Sequence, residues 1–289
     1  MAFLEPRRLD ELATLYRLEP TLRDVYVEGN SDKRFIEWFL HEKNVIGVTV
    51  NEINNVDIPA NLILAAGLSD GNKSRVIILA RELERILGSE MVSVTCIIDG
   101  DFDDLLGQKH DCAFLLTTDH TCLELYFYDP RCINKLLRLV VYGFPKSARS
   151  VPAELQAPLQ ELFLIRMASH SLRWNIKLTQ FEKLCKLTET GITFDRNKYV
   201  QRVLMANQKA DFAEQFFEQV EVGRRLLTHD PRKQIHGHDF VALLAWYIRS
   251  HGKSKITQDL FERSLPACAE CAWISEQGMF QSLLKRIRS

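Results

Sequence analysis

The chain has 289 residues, 46% of them hydrophobic, enough for one large domain or two ordinary ones with real cores. Its net charge of −1 hides a split: residues 1 to 130 hold 12 Lys and Arg against 23 Asp and Glu, a balance of −11, while residues 131 to 289 hold 25 against 15, a balance of +10. There is no internal repeat or low-complexity tract, and no stretch approaches the ~18 uninterrupted apolar residues of a membrane span.

The opening Met-Ala-Phe-Leu-Glu-Pro-Arg-Arg has no apolar run after its charges, so no leader peptide is expected and a cytoplasmic location is. Seven scattered cysteines fit reduced thiols, and the Cys268/Cys271 pair has no partner pair at zinc-finger spacing. Residues 9 to 17 read as a short lead-in helix. Residues 24 to 28 alternate in β-prone types and predict a strand. Glu28 falls at its carboxyl end, and Gly29 frees the backbone to turn. Ser31 or Asp32 can cap a helix over 33 to about 43, with Phe35, Ile36, Phe39 and Leu40 on one face.

Residues 47 to 53 predict a second strand, and 61 to 66 form a brief apolar piece. A helix follows over about 73 to 87, ended by Gly88. Residues 92 to 98 are a nearly continuous apolar strand of the kind buried in a parallel sheet, and 113 to 117 are another. Residues 123 to 141 read as mostly helical, broken at Pro130. The β-α-β-α-β order predicts an α/β fold with a mainly parallel sheet flanked by helices over residues 1–145. Pro145, Pro152 and Pro158 read as a linker. Beyond it, 154 to 167, 179 to 188, 197 to 206, 210 to 227, 238 to 250 and 257 to 265 show helical spacing. An all-helical domain over 146–289 is therefore expected, for substrate or partner binding.

The acids cluster at predicted strand ends. Asp99 and Asp101 stand two apart after the buried strand, and in extended geometry both side chains leave one face. Asp103 and Asp104 follow, so four aspartates occupy six residues. Such density is costly unless a cation or a proton neutralises it. A hard divalent ion such as Mg²⁺ takes oxygen ligands and often uses one or two carboxylates plus waters. Asp119 and Glu124 follow the next strand. Glu28, Asp99, Asp101 and Glu124 would converge at one sheet edge, where ligands of open α/β sheets bind. Two cations there could clamp a phosphodiester.

Val27-Glu28-Gly29 with Asp32, then Ile98-Asp99-Gly100-Asp101, resembles the two-part signature of the Toprim fold. The later Asp119 and Leu123-Glu124-Leu125-Tyr126, with Gly237-His238-Asp239, are similar to the compact Toprim nucleases of the overcoming-lysogenisation-defect-like group, as used in the PARIS anti-phage defence system. The resemblance covers most of the chain and is specific in the first 130 residues. It implies a Mg²⁺-dependent nuclease, with Mn²⁺ as an alternative ion. Carried over residue by residue, Glu28, Asp99, Asp101 and Glu124 match its acids. Catalysis is expected at Glu28, Asp32, Asp99, Asp101 and Glu124, and metal at Glu28, Asp99 and Asp101, with Glu124 or Asp103 supporting a second ion and Glu28 alternatively the general acid or base. It also implies tRNA or another nucleic acid as substrate, an AriA-like ATPase as inhibitory partner, a homodimer in the active form and no membrane. Related nucleases often carry a lysine near the end of this module. Lys135 and Lys146 are the candidates here.

Gly67-Leu68-Ser69-Asp70-Gly71-Asn72-Lys73-Ser74 nearly matches a phosphate-binding loop but carries Asn72 where the pattern needs glycine, so Lys73 is read as a helix-start lysine. In the basic half, Arg166, Arg173, Trp174 and Lys177 form one cluster. Arg224, Arg225, Arg232, Lys233, His236 and His238 form another. Basic residues interleaved with aromatics suit phosphate contact with base stacking, and solvated helix faces are the plainer reading.

Overall fold

The structure is a computed structural model, and it describes residues 5–91, 93–189, 191–252 and 257–288. In chain order the first elements are β1 (Arg7–Arg8), α1 (Leu9–Leu18), β2 (Arg23–Val27), α2 (Asn30–Glu42), β3 (Val48–Glu52), β4 (Val56–Asp57), α3 (Ala60–Ala65), α4 (Asn72–Leu87), β5 (Val94–Ile98), α5 (Asp103–Leu106) and β6 (Leu115–Thr117). Then come α6 (Pro130–Leu136), α7 (Ser150–Ser171), β7 (Cys185–Thr188), β8 (Gly191–Phe194), α8 (Arg196–Ala206), α9 (Ala213–Arg224), α10 (Gly237–Ser250), α11 (Gln258–Cys268), α12 (Cys271–Ser275) and α13 (Gly278–Arg288). The expected strand over 92 to 98 is β5, its first residue, 92, lying outside the described residues.

The chain forms two compact units. They do not follow a single cut near residue 145: one comprises residues 1–100, 108–119 and 270–289, the other 101–107 and 120–269. In the first unit, four parallel strands run in the order β3-β2-β5-β6. β5 is buried along its length because helices cover both faces. Tyr26, Val94, Cys96 and Ile98 face a core shared with Leu12 and Tyr16 of α1 and Val76, Ile77, Ala80 and Leu83 of α4. Phe35, Ile36, Phe39 and Leu40 of α2 are buried too, and Phe280 of α13 packs its ring against Phe39 at 4.6 Å. The last helix thus belongs to the unit that contains the first strand. The Arg286 guanidinium donates to Leu115 O at 3.0 Å, covering part of the exposed edge of β6.

At the amino end of β2, Tyr16 Oη donates to buried Asp24 at 2.8 Å and lies 2.7 Å from Tyr26 Oη. Burial pushes both phenols above their ordinary range.

The second unit centres on α7, which buries residues on every side and therefore sits inside a helical layer. Pro152 and Pro158 lie within this helix, contrary to the linker reading. Pro152 falls in the first turn, where the missing N–H has no helical acceptor to lose. The unit is not all helical. Cys185–Thr188 and Gly191–Phe194 pair as an antiparallel two-stranded sheet, β7 with β8, where helical spacing was expected over 179 to 188. Gly191, the first residue of β8, has φ +126°, a backbone state open mainly to glycine. Among the described residues, no helix is long and apolar enough to cross a membrane.

Candidate functional site

Strand order decides where a ligand would sit in the first unit. From β2 the chain moves outward to β3, then returns to the other side of β2 to lay down β5. The carboxyl ends of β2 and β5 therefore flank the switch point of the sheet, the standard ligand position in doubly wound folds. Glu28 follows β2 and Asp99 follows β5, so the two signature acids stand at this switch point. They are joined directly: Asp99 N–H donates to Glu28 Oε1 at 2.9 Å. Both residues are half-buried.

Two side chains that sequence reasoning did not single out for the site hold this edge. Asn72, at the start of α4, donates from Nδ2 to Glu28 O at 2.8 Å. Thr118 donates its N–H to Ile98 O at 3.0 Å, and its Oγ1 accepts from Gly100 N–H at 2.9 Å. Asn72 is the residue that breaks the phosphate-loop pattern. The segment before it is a helix, α3, not a strand, so the loop is not of the strand–loop–helix kind.

Asp32 lies on α2, three residues past the N-cap Gly29, and its carboxylate accepts the Gly29 N–H at 3.0 Å. Such a bond starts a helix. α2 therefore begins at Asn30, earlier than a cap at Ser31 or Asp32 allows. Gly29 itself is extended, with φ −150° and ψ 177°, and a Cβ there would meet Asp32 Oδ2 at an ordinary 3.7 Å. The turn does not need the freedom of glycine. Asp119 is also placed by a helix: its carboxylate accepts the Met279 N–H at 3.0 Å, at the start of α13.

Asp101, Asp103 and Glu124 belong to the second unit. β5 ends at Ile98 and Asp101 has φ +44°, so the extended geometry assumed for the aspartate pair does not continue through it. Aspartate tolerates this left-handed state better than most residues. Its N–H donates to Thr121 O at 2.8 Å, and Thr121 N–H donates to Arg232 O at 3.2 Å. Asp103 is buried at the start of α5, and Asp104 Oδ2 pairs with Lys233 at 2.6 Å. Glu124 is half-buried against the start of α10. A Cβ on Gly237 would come within 2.8 Å of Glu124 Oε2 and 2.6 Å of Cys122 Sγ, so only glycine fits.

Beside Gly237, the His236 ring lies 5.5 Å from that of His238. Its Nδ1 is buried without a hydrogen-bond partner among the described residues. Burial, with the Arg166 charge behind it, pushes this imidazole down to about 4, against smaller opposing effects of Asp239 and Asp101. Arg166 and Asp239 form a two-pronged ion pair, Nε to Oδ2 at 2.6 Å and Nη2 to Oδ1 at 2.7 Å.

The basic clusters divide on inspection. Arg224 is gripped by Glu161 through two bonds at 2.7 and 2.8 Å, which with Glu221 raises its pKa. Arg232 pairs with Asp230. Arg166, Arg224, Arg232 and Lys233 thus answer carboxylates of their own unit and are poor candidates for a phosphate chain. Arg225 is exposed. Lys146 pairs with Glu154 at 3.1 Å. Lys135 is half-buried near the end of α6, within the second unit.

Among the described residues, no three His, Cys, Asp or Glu side chains gather as a metal-holding group. A Mg²⁺ ion that keeps most of its waters needs only one or two protein carboxylates. Glu28 and Asp99 supply that number, in hard oxygen donors, at the switch point. No protein-family profile matches the sequence, and no curated protein is significantly similar to it.

Proposed function

We propose that this chain is a Mg²⁺-dependent nuclease whose centre is the edge formed by Glu28 and Asp99. The observation that carries the reading is that Glu28 and Asp99 follow adjacent parallel strands at the sheet's switch point, with the Asp99 backbone N–H donating to the Glu28 carboxylate. When bound, Mg²⁺ would supply positive charge to a phosphodiester. Asp99 is the stronger candidate ligand, and Gly100 alone separates it from Asp101, the other half of the signature. Glu28 either shares the ion or moves the proton of the attacking oxygen. Asn72 and Thr118 fix the backbone from which both acids project.

The narrower reading is an endoribonuclease effector of an anti-phage system, similar to AriB of PARIS, cutting tRNA once an AriA-like ATPase releases it. It rests on the sequence resemblance. The test is incubation of the purified chain with tRNA, single-stranded DNA and duplex DNA, in Mg²⁺ or EDTA. Mg²⁺-dependent RNA cleavage, lost in Asp99→Asn and Glu28→Gln, is expected. Loss of a positioned proton-transfer group costs ~10²–10⁴ in rate. Cutting of DNA alone would move the assignment to a DNA nuclease. No cutting, with Mg²⁺ still bound, would leave a regulatory partner. A folded Glu28→Gln variant that cuts at the parental rate would overturn the mechanism.

A further inference from the structure

One stretch of the second unit keeps its positive charge uncompensated. Residues 172–209 hold eight Lys and Arg against three Asp and Glu. Of the eight, Arg196 is paired with Glu161 and Glu221. Arg173, Lys177, Lys198, Arg202 and Lys209 make no ion pair with the described residues, and all except half-buried Lys209 are exposed. Lys198 and Arg202 are one turn apart on α8, and Met205, 70% exposed, continues the same stripe. The opposite face of α8 is packed through Tyr199, Val200, Val203 and Leu204.

Past the end of this helix lies an aromatic platform. Lys209 Nζ stands 5.2 Å from the Trp174 ring and 5.4 Å from that of Phe212. The two rings are 5.8 Å apart at 65°, and Trp174 stacks on Phe216 behind them. Phe212 is 48% exposed. The platform is fixed to the helix: Asn207 accepts Lys177 N–H at 3.0 Å and donates to Lys177 O at 2.9 Å. Free cations along a stripe suit a phosphate backbone, and a rigid, half-exposed aromatic beside a cation suits an unstacked base.

We propose that this face binds single-stranded RNA, with phosphates along Lys198, Arg202 and Lys209 and a base stacked on Phe212. The proposal deepens the nuclease reading and rests on it for its purpose, but its test requires no cleavage. Anisotropy of a labelled single-stranded RNA dodecamer is followed with the whole chain in EDTA, over a range of salt. Lys198→Glu with Arg202→Glu is expected to weaken binding at least tenfold. The log–log salt slope should flatten by about 1.4, at roughly 0.7 per phosphate contact. Phe212→Ala should weaken binding about 5- to 150-fold, the range of one base–aromatic stack, with the slope unchanged. Arg138→Glu, at an exposed cation outside residues 172–209, should change little, and parental melting temperatures would show the variants folded.

Equal binding by all variants overturns the proposal. So does binding of polyglutamate that matches RNA and ignores Phe212→Ala, which would make the face a dock for an acidic protein. The two readings fail separately. Variants of this face that bind and cut RNA like the parent sink the docking face alone. RNA bound here but cut normally by Glu28→Gln sinks the mechanism at the sheet edge alone.

Discussion

Glu28 has a structural bond as well as its proposed chemistry, and two substitutions separate them. Glu28→Gln keeps an oxygen for the Asp99 N–H, so its melting temperature should stay near the parent's. Glu28→Ala leaves that half-buried amide unanswered and should cost about 1–3 kcal/mol. Equal melting of the two variants would show that the bond contributes nothing. His236 makes a pH prediction. Its imidazole is held down to about 4 from 6.5, so the folded chain favours the neutral form. The associated stability is fully present above pH 6.5 and is lost as pH falls from about 6.5 to about 4. The window is worth ~3 kcal/mol at 1.36 kcal/mol per unit. His236→Gln should therefore flatten the fall of the melting temperature across that range. Parallel curves for parent and variant would refute the assignment.

At the scale of elements, the pair of Arg166 on α7 and Asp239 on α10 ties two central helices of the second unit. Asp239→Asn should cost about 3–5 kcal/mol, because it leaves a mostly buried guanidinium without its charge partner. Replacing both partners by apolar residues of similar size should recover much of that loss, as read in denaturant melts. Elements with one clear period were legible in the sequence: α1, β2, β3, α4, β5, α8 and α10 fall close to where alternation or helical spacing puts them. The hairpin was not, because Phe181, Leu184 and Cys185 stand at i, i+3 and i+4 and mimic helical spacing over so short a span, and the register of β7 on β8 is a tertiary choice. The edge pair of Glu28 and Asp99 was legible because parallel strands place their carboxyl ends side by side. The roles of Asn72 and Asp119 were not, since their partners lie 44 and 160 residues away.

At the scale of the molecule, the first unit draws on three separated segments, and residues 1–145 alone would lack α13. Phe39 would lose the ring of Phe280, and β6 would lose Arg286. A fragment of residues 1–145 should show no cooperative thermal transition by circular dichroism. A sharp parental-type melt would mean that α13 is dispensable. Losing the Phe280 ring alone should cost about 3–5 kcal/mol in the whole chain. The same wiring gives the protein a clock. Asp119 leaves the ribosome 160 residues ahead of Met279, whose N–H it must accept. At roughly 5–20 residues per second, that delay is on the order of ten seconds. Throughout it, the sheet that bears Glu28 and Asp99 has no closing helix. If the chain cuts RNA, the ribosome that makes it is shielded from it until α13 has emerged.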